Sequence, residues 1–278
     1  MNRRHFVTAG AAALSGVVVG CDRIAGTSGG GKGLHAAEWV TYRAQRILLG
    51  ADKLAPEFSE SDIAPHFRSN GTGDPPDKSY KLLARDHFQN WRLRIDGLVE
   101  RPLDLSLSDL RSLPARTQIT RHDCVEGWSC IGKWTGTPLS EILTRAGAKT
   151  QARFAVFHCA DTMEGDDDSG DQAASSEGLA DAKAKTAAQT LDNRVVRYYE
   201  SIDLIDALHP QTILAYEMNG QPLSIPYGAP LRLRVERQLG YKMAKYVMHI
   251  ELADSFATIG EGRGGYWEDR GYEWYAGI

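Results

Sequence analysis

The sequence has little cysteine, and its cysteines are not spaced for a zinc ion or a covalently attached haem. The four cysteines among the 278 residues are Cys21, Cys124, Cys130 and Cys159. No two of them form a CxxC pair or a CxxCH motif, which excludes the usual zinc ribbon and the usual c-type haem site. If Cys21 is lost or modified, three thiols remain, and three thiols cannot all pair within one chain. At least one of them therefore needs burial or coordination.

Charge and hydropathy exclude two further classes of protein. The 32 lysines and arginines stand against 36 aspartates and glutamates, a net charge of −4, which gives no reason to expect nucleic acid as a partner. The apolar run from Ala9 to Gly20 is too short for a transmembrane helix of about 20 residues. The composition is that of an ordinary globular protein.

The first residues are typical of an export signal. Arg3 and Arg4 precede the apolar run, and this order predicts a twin-arginine signal peptide over residues 1–21. The letters VVGC resemble a lipoprotein box, which would make Cys21 a lipid anchor; the alternative is cleavage nearby without a lipid. We therefore expect a periplasmic protein, tethered to the membrane if Cys21 is lipidated. The twin-arginine route carries folded proteins, often around a cofactor, so a cofactor is expected as well.

The remaining chain is predicted to be a tether followed by one α+β domain. Residues 22–79 read as a tether and N-terminal extension and include the Gly- and Ser-rich letters GTSGGGKG. Strand patterns cover 91–99, 152–161, the two halves of 212–225 around Asn219-Gly220, and two segments within 229–252. Helical patterns cover 139–146 and 199–210. Because strands outnumber helices and are joined by turns, the domain should be rich in antiparallel sheet.

Residues 162–194 differ in composition from the rest of the domain. They begin with an acidic head at Asp166, Asp167 and Asp168 and continue into an alanine-rich, weakly helical tail. Such a stretch is usually a solvated surface insertion. The functional alternative is a lid or a docking patch for a basic partner.

Cys124 lies among basic side chains in the letters RHDCVEGWSCIGK. Arg121, His122 and Lys133 flank it, and positive neighbours are expected to lower its pKa and favour the thiolate. A thiolate binds a soft metal or attacks an electrophile. The structural alternative is a disulfide between Cys124 and Cys130, which would still leave one thiol alone.

A second group of basic residues lies in GAPLRLRVERQLGYKMAKYV, residues 228–247. Arg232 and Arg234 alternate with apolar residues on a predicted strand, and basic residues continue beside Gly228 and Gly240. Basic side chains next to glycines that allow close backbone approach suit a phosphate-bearing cofactor. Spacing alone also allows the plainer interpretation of an exposed, charged sheet face.

The two segments together resemble the molybdopterin-binding domain of the sulfite oxidase family. The resemblance rests on CVEGWSCIGKWTGTPLSEIL and on IDALHPQTILAYEMNGQPLSIPYGAPLRLRVERQLGYKMAKYV. It is nearest to the bacterial single-domain members, among them the catalytic subunit of periplasmic methionine-sulfoxide reductase. It implies one oxidoreductase molybdopterin-binding domain over residues 80–278, with mixed and antiparallel sheets and short helices.

The resemblance also implies a role for each matching residue. The cysteine that ligates molybdenum in the family corresponds to Cys124, which would be held as a thiolate. The residues implied to bind the cofactor are Arg85, His87, Cys159, Arg232, Lys242, Met243, Ala244 and Lys245. The first two match a family motif of the vRNH kind, with Asp86 where asparagine is common. Cys159 and Tyr227 are implied to line the catalytic site, where the reductase has threonine and asparagine, and these departures leave the substrate open.

The implied activity is oxygen-atom transfer on a small substrate, either sulfite oxidation or sulfoxide or N-oxide reduction. Its cofactors would be molybdenum and molybdopterin. The sequence has no haem motif, so electrons are expected to pass to or from a separate partner, a cytochrome or a membrane haem subunit. A monomer is expected, since the dimerisation domain of eukaryotic sulfite oxidases has no counterpart here. The alternative from another class is a metal-free binding or assembly module that keeps the fold, with Cys124 and Cys130 oxidised.

Overall fold

The computed structural model describes residues 40–47, 50, 52–162 and 197–278. It divides the chain into two units, Met1–Gly50 and Ala51–Ile278, and residues 40–47 of the first unit form a helix, α1. The predicted signal peptide, the Cys21 anchor and nearly all of the predicted insertion lie outside the described residues. Among the helices that are described, none combines the length and the apolar character needed to cross a bilayer.

The described part of the second unit contains ten strands and four short α-helices. The strands are β1 (Leu93–Gly97), β2 (Leu103–Leu105), β3 (Arg116–Asp123), β4 (Ser129–Pro138), β5 (Phe154–Cys159), β6 (Tyr199–Asp203), β7 (Ile213–Met218), β8 (Gln221–Pro222), β9 (Arg232–Arg234) and β10 (Val247–Ala253). The helices are α2 (Lys78–Arg85), α3 (Leu107–Ser112), α4 (Leu139–Ala146) and α5 (Leu204–Ala207). Single 3₁₀ turns lie at Glu60–Asp62, Ile225–Tyr227, Gly240–Lys242 and Glu268–Arg270.

These strands form two sheets. The first has the order β2-β1-β10-β5-β6, in which β1 and β10 are parallel and the other neighbours are antiparallel. The second has the order β3-β4-β7-β8, with β9 also paired to β7, and all of its pairs are antiparallel. The α+β fold with mixed and antiparallel sheets is therefore confirmed.

Helix α4 shows how the local sequence builds the core. Its inward face consists of Leu139, Ile142, Leu143 and Ala146, all buried as their spacing predicts. Gly147 then takes a left-handed φ of 69°, and its N–H donates to the carbonyls of Leu143 and Thr144, which ends the helix. Burying each large apolar side chain of this face stabilises the fold by about 1.5–3 kcal/mol.

The segment 199–210 is only partly the predicted helix. Its first five residues are strand β6, and the helix is limited to α5, which Asp203 caps by accepting the N–H of Asp206. All five residues of β6 are buried, because β5 pairs with one edge and the chain around Gly265 and Tyr266 bonds to Tyr199 and Glu200. Such a strand shows no alternation of polar and apolar residues, so its pattern does not separate it from a helix.

Part of the predicted N-terminal extension, which the sequence places before residue 80, packs on the second sheet. The N–H of Phe58 donates to the Ile119 carbonyl of β3, and that of Ala64 donates to the Ile131 carbonyl of β4. Phe67 is buried, and its ring meets that of Trp134 edge to face at 5.4 Å. We call residues 63–72 the strap, because they lead from β4 toward the site described below.

Gly136 gives a direct test of the pairing between β4 and β7. A Cβ at this position would lie 2.2 Å from the Leu214 carbonyl oxygen and 2.6 Å from the Ala215 Cα. We expect Gly136→Ala to lower the free energy of unfolding by about 3 kcal/mol, the upper end of overpacking costs, as measured by urea denaturation. Gly73→Ala is the control, because nothing lies within 4 Å of its Cβ position. Equal losses in both variants would contradict this packing.

Candidate active site

Cys124 lies in the tight turn that joins β3 to β4. Its N–H donates to the Trp128 carbonyl at 2.9 Å, and the Gly127 N–H donates to the Cys124 carbonyl at 3.1 Å. The turn holds the thiol half-buried. Cys124, Cys130 and Cys159 are all free thiols, so the disulfide of the structural alternative is not formed here.

The predicted lowering of the Cys124 pKa by basic neighbours is wrong for the protein alone. Burial raises the pKa of this thiol, and the charge of Glu126 opposes ionisation as well. The expected cations are neutralised locally. Arg121 bonds to Asp123 at 2.8 Å, and Lys133 bonds to Glu60 at 2.5 Å.

His122 is buried and neutral beneath the cysteine turn. Its Nδ1 lies 3.1 Å from Arg234 Nη1, and a guanidinium can only donate, so Nδ1 accepts and the ring proton is assigned to Nε2. Burial lowers the pKa of His122 well below its usual value, and the charges of Arg234 and Arg232 add to this. Met243 Sδ lies 3.3 Å from the same Nδ1, which brings the second basic segment against β3.

The two arginines of β9 are both fully buried, yet they differ in their partners. Arg234 donates from Nε and Nη2 to Glu236 at 2.8 and 2.6 Å. Arg232 donates from Nη1 to the Tyr227 carbonyl at 3.1 Å, while its Nε and Nη2 have no partner among the described residues. Burial, followed by the charge of Arg234, lowers the pKa of Arg232 to about 9. Unpartnered donors on a buried guanidinium suit an anion, and the exposed charged face that spacing also allowed is excluded, because β9 is buried.

Trp134 of β4 carries both guanidinium groups on its ring. The Cζ atoms of Arg232 and Arg234 lie 4.8 and 4.4 Å from the ring centroid, within the range of cation–π attraction. The indole therefore spaces the two positive charges in a dry interior.

Met243, Ala244 and Lys245 run beside this pair. Met243 and Ala244 are buried, and the Ala244 carbonyl accepts the N–H of Leu233 at 2.8 Å. Lys245 Nζ donates to the carbonyls of Asn70, Thr72 and Pro226 at 2.6, 2.6 and 3.0 Å. The lysine thus ties the strap to the segment that the resemblance assigns to the cofactor.

Gly228 explains how these side chains come so close together. It has a φ of 102°, and a Cβ here would lie 3.0 Å from the Lys245 side chain and 3.2 Å from that of Arg232. Only glycine fits this position without displacing one of them, which agrees with the close approach that the sequence predicts.

Lys242, which the resemblance implies to bind the cofactor, is paired with two buried carboxyl groups. It is fully buried, and its Nζ lies 2.5 Å from both Glu200 and Glu268. The two carboxylates more than balance its charge. Its side chain instead joins β6 and the C-terminal segment to the turn before Met243.

Arg85 and His87 are also placed away from this cluster. Both are exposed where α2 ends, and no described contact joins them to Cys124, His122 or Arg232. The strap, by contrast, contacts both the cysteine turn and Lys245. Its letters FRSN, residues 67–70, carry an arginine and an asparagine as the vRNH motif does, and this was the signal that could have located it.

Arg68 of the strap lies over the cysteine turn. Its Cζ is 5.3 Å from the Trp128 ring centroid, and its Nη2 is 3.7 Å from Glu126. The Trp128 Nε1–H donates to the same carboxylate at 2.8 Å. The entrance beside Cys124 therefore pairs one cation with one anion.

Of the two residues predicted to be catalytic beside Cys124, Tyr227 lies at the site and Cys159 lies in the core. The Tyr227 hydroxyl donates to the Phe67 carbonyl at 2.8 Å, and the ring lines a cavity of about 260 Å³ with Pro65, Phe67, Met218 and Asn219. No lysine, arginine, aspartate or glutamate lines this cavity among the described residues. Cys159 is 2% exposed, and burial raises the pKa of its thiol well above the usual value, so it behaves as an apolar core side chain.

Comparison with known proteins gives one family match. The model of the family described as "Oxidoreductase molybdopterin binding domain" matches residues 80–184 and 172–258, together more than half of the chain. A candidate protein-methionine-sulfoxide reductase subunit, YedZ1, of Azospira oryzae is 35% identical over 234 residues, which cover 84% of this chain and 71% of that protein.

Other similar proteins are longer than this chain. The protein-methionine-sulfoxide reductase catalytic subunit MsrP of Ralstonia nicotianae is 28% identical over 79% of this chain and 60% of its own length. That of Campylobacter jejuni is 32% identical over 63% and 52%. Among solved structures, the sulfane dehydrogenase SoxCD of Paracoccus pantotrophus aligns with a TM-score of 0.45 and 24% identity, covering 60% of this chain and 39% of that one.

Proposed function

The chain belongs to the oxidoreductase molybdopterin-binding domain family, and we propose that it holds molybdenum and molybdopterin at the site between Cys124 and Arg232. The predicted class, a molybdopterin-dependent oxidoreductase, is confirmed by this membership. When bound, the metal would supply two-electron redox chemistry. The protein would bind and orient the cofactor in a site that is dry and positively charged.

The observation that carries this proposal is the state of Arg232. A fully buried guanidinium with two unpartnered nitrogens, next to a second buried arginine, is costly unless an anion accompanies it. A phosphate group meets that need, because guanidinium nitrogens match phosphate oxygens in pairs. Lys245 lies beside it and would add its positive charge, since its three hydrogens are donated to the carbonyls of Asn70, Thr72 and Pro226. The backbone of Met243 and Ala244 would complete the binding site.

Cys124 would be the protein ligand to the metal. Burial keeps its Sγ protonated in the protein alone, and a thiol must lose its proton to bind a metal, so metal binding here would release a proton. His122, neutral and held by Arg234, adds no positive charge at the base of the cysteine turn.

A neutral S-oxide is the proposed substrate, and the relatives named methionine-sulfoxide reductase support this choice. The net reaction takes two electrons and two protons and converts the S-oxide to a sulfide and water. Sulfite oxidation would need several cations converging on an anion. Instead Arg68 is matched by Glu126, and the described residues that line the neighbouring cavity include His66 but no lysine, arginine, aspartate or glutamate.

The setting of the reaction is part of the same proposal. Electrons would come from a separate haem-bearing partner, a cytochrome or a membrane subunit. The protein would be exported by the twin-arginine route to the periplasm as a monomer, with a lipid at Cys21 as its tether. The sequence motifs at Arg3, Arg4 and Cys21 support this.

Metal content tests the proposal most directly. Protein purified with its signal intact from a molybdenum-replete host should contain about one molybdenum per chain by elemental mass spectrometry, and Cys124→Ser should lose it because the thiolate ligand is gone. Sulfoxide-dependent oxidation of a reduced dye should disappear with the metal.

Cys130→Ser is the matched control, since Cys130 is a half-buried free thiol on the adjacent strand. It should keep its molybdenum. Wild-type protein without molybdenum, with Cys124 and Cys130 joined in peptide maps, would contradict the proposal and favour the metal-free binding module.

A further inference from the structure

Three buried side chains at the site carry N–H groups that have no acceptor within the described part of the chain. They are Arg232 at Nε and Nη2, His122 at Nε2 and Trp134 at Nε1. All three residues are 0% exposed. Native proteins rarely leave buried donors without an acceptor, because each costs as much as a lost hydrogen bond.

These three groups form one contiguous cluster. Arg232 and Arg234 both stack on Trp134, and Arg234 also bonds to His122 at Nδ1. The Phe67 ring meets both Trp134 and His122, with centroids 5.4 and 5.9 Å apart. Arg232, Trp134 and His122 therefore belong to one network of contacts, and His122 lies two residues before Cys124.

Every unpartnered atom of these three side chains is a hydrogen-bond donor. An indole and a guanidinium can only donate. His122 donates as well, because Arg234 occupies its Nδ1 and leaves the proton on Nε2. A group that belongs here presents hydrogen-bond acceptors, such as phosphate oxygens, ring nitrogens and carbonyl oxygens.

We propose that Trp134 and His122 are cofactor-binding residues, whose Nε1–H and Nε2–H donate to acceptor atoms of bound molybdopterin beside Arg232. This rests on the proposed function and extends it to two residues that the sequence resemblance did not implicate. The Trp134 ring has two roles, because its face holds the arginines while its edge contacts the cofactor.

Trp134→Phe tests the indole N–H while keeping an aromatic face for the arginines. Trp91→Phe is the matched control, because Trp91 is also 0% exposed and its N–H already has an acceptor, Met248 Sδ at 3.3 Å. Purified holoproteins are incubated in mild urea, and the released pterin is followed by the fluorescence of its oxidised form. We expect release about tenfold faster in Trp134→Phe than in Trp91→Phe, the effect of one lost hydrogen bond in a buried site.

The release rates and the molybdenum content test the role of Trp134 and the proposed function separately. Equal release rates in the two variants, with wild-type protein holding molybdenum, would overturn the role of Trp134. The indole N–H would then bond to water and not to the cofactor. Wild-type protein without molybdenum would overturn the proposed function as well.

His122 is tested by a pair of substitutions. His122→Gln places an amide N–H near the position of Nε2, whereas His122→Leu has no donor. Release should be about tenfold faster in the leucine variant and close to wild type in the glutamine variant. Equally fast release in both would show that the histidine only packs, and would overturn its role as a donor.

Discussion

Arg234→Met should cost the protein about 3–5 kcal/mol of unfolding free energy, the loss typical of a broken buried ion pair. Arg234 makes two hydrogen bonds to Glu236, and neither side chain of this pair is accessible. Among the described residues, methionine would leave that carboxylate with the amide of Gln118 at 2.9 Å as its one side-chain partner. Urea denaturation of protein from a host that lacks the cofactor measures the loss.

The neighbouring variant Arg232→Met should keep most of its unfolding free energy but lose its molybdenum. Arg232 has no ion pair with a carboxylate among the described residues, and its pKa is lowered by burial. Removing it from the cofactor-free protein should cost less than about 1 kcal/mol, since the cost of burying a charge without a carboxylate offsets its bond to the Tyr227 carbonyl and its contact with Trp134. Molybdenum per chain should nevertheless fall to near zero.

The two arginines serve as controls for each other, because they alternate on one strand and stack on the same indole. Similar losses of stability in both variants would contradict the division into a structural and an anion-binding arginine. Full molybdenum content in Arg232→Met would remove the main support for the proposed function.

Much of the fold could be predicted because its signals are local. Helix α4 has its proline, its apolar face and its terminal glycine within ten residues. The hairpin of β7 and β8 turns at Asn219 and Gly220, whose φ angles of 51° and 75° are those that such a turn requires. Parallel pairing of β1 with β10 has no comparable signal, since it joins segments more than 150 residues apart.

The site was predictable only where a residue's role is set by its own motif. The segments of Cys124 and Arg232 are linked through His122 of β3, which contacts Arg234 of β9 and Met243 of the turn that follows, whereas the roles of Cys124 and Arg232 toward a cofactor stay a prediction. Lys242 lies in the same motif as Lys245, yet its partners are Glu200 and Glu268. Which of two lysines meets distant carboxylates depends on tertiary pairing that spacing does not encode. The strap was missed for the same reason, since it lacks periodicity and gains order from contacts with β3 and β4.

Lys242→Met should also destabilise the protein by about 3–5 kcal/mol, because two buried carboxylates would lose their only ammonium partner among the described residues. Lys81→Met is the control. Lys81 is exposed and lies 3.4 Å from Asp74, a contact worth about 0–1 kcal/mol. Urea denaturation at neutral pH compares the two, and equal effects would contradict the buried triad.

The triad also predicts how stability depends on pH. Burial, together with the charge of Glu268, raises the pKa of Glu200 well above its usual value. Between the usual value and the raised one, the folded protein keeps a proton that the unfolded chain has lost, so this carboxyl stabilises the fold at low pH and the contribution is lost as pH rises. Glu200→Gln removes this dependence while Lys242 keeps its bond to Glu268. The stability of the variant relative to wild type should therefore increase from pH 5 to pH 8. A constant difference across that range would show that Glu200 is ionised in the folded protein as it is in the unfolded chain, so that its pKa is not raised.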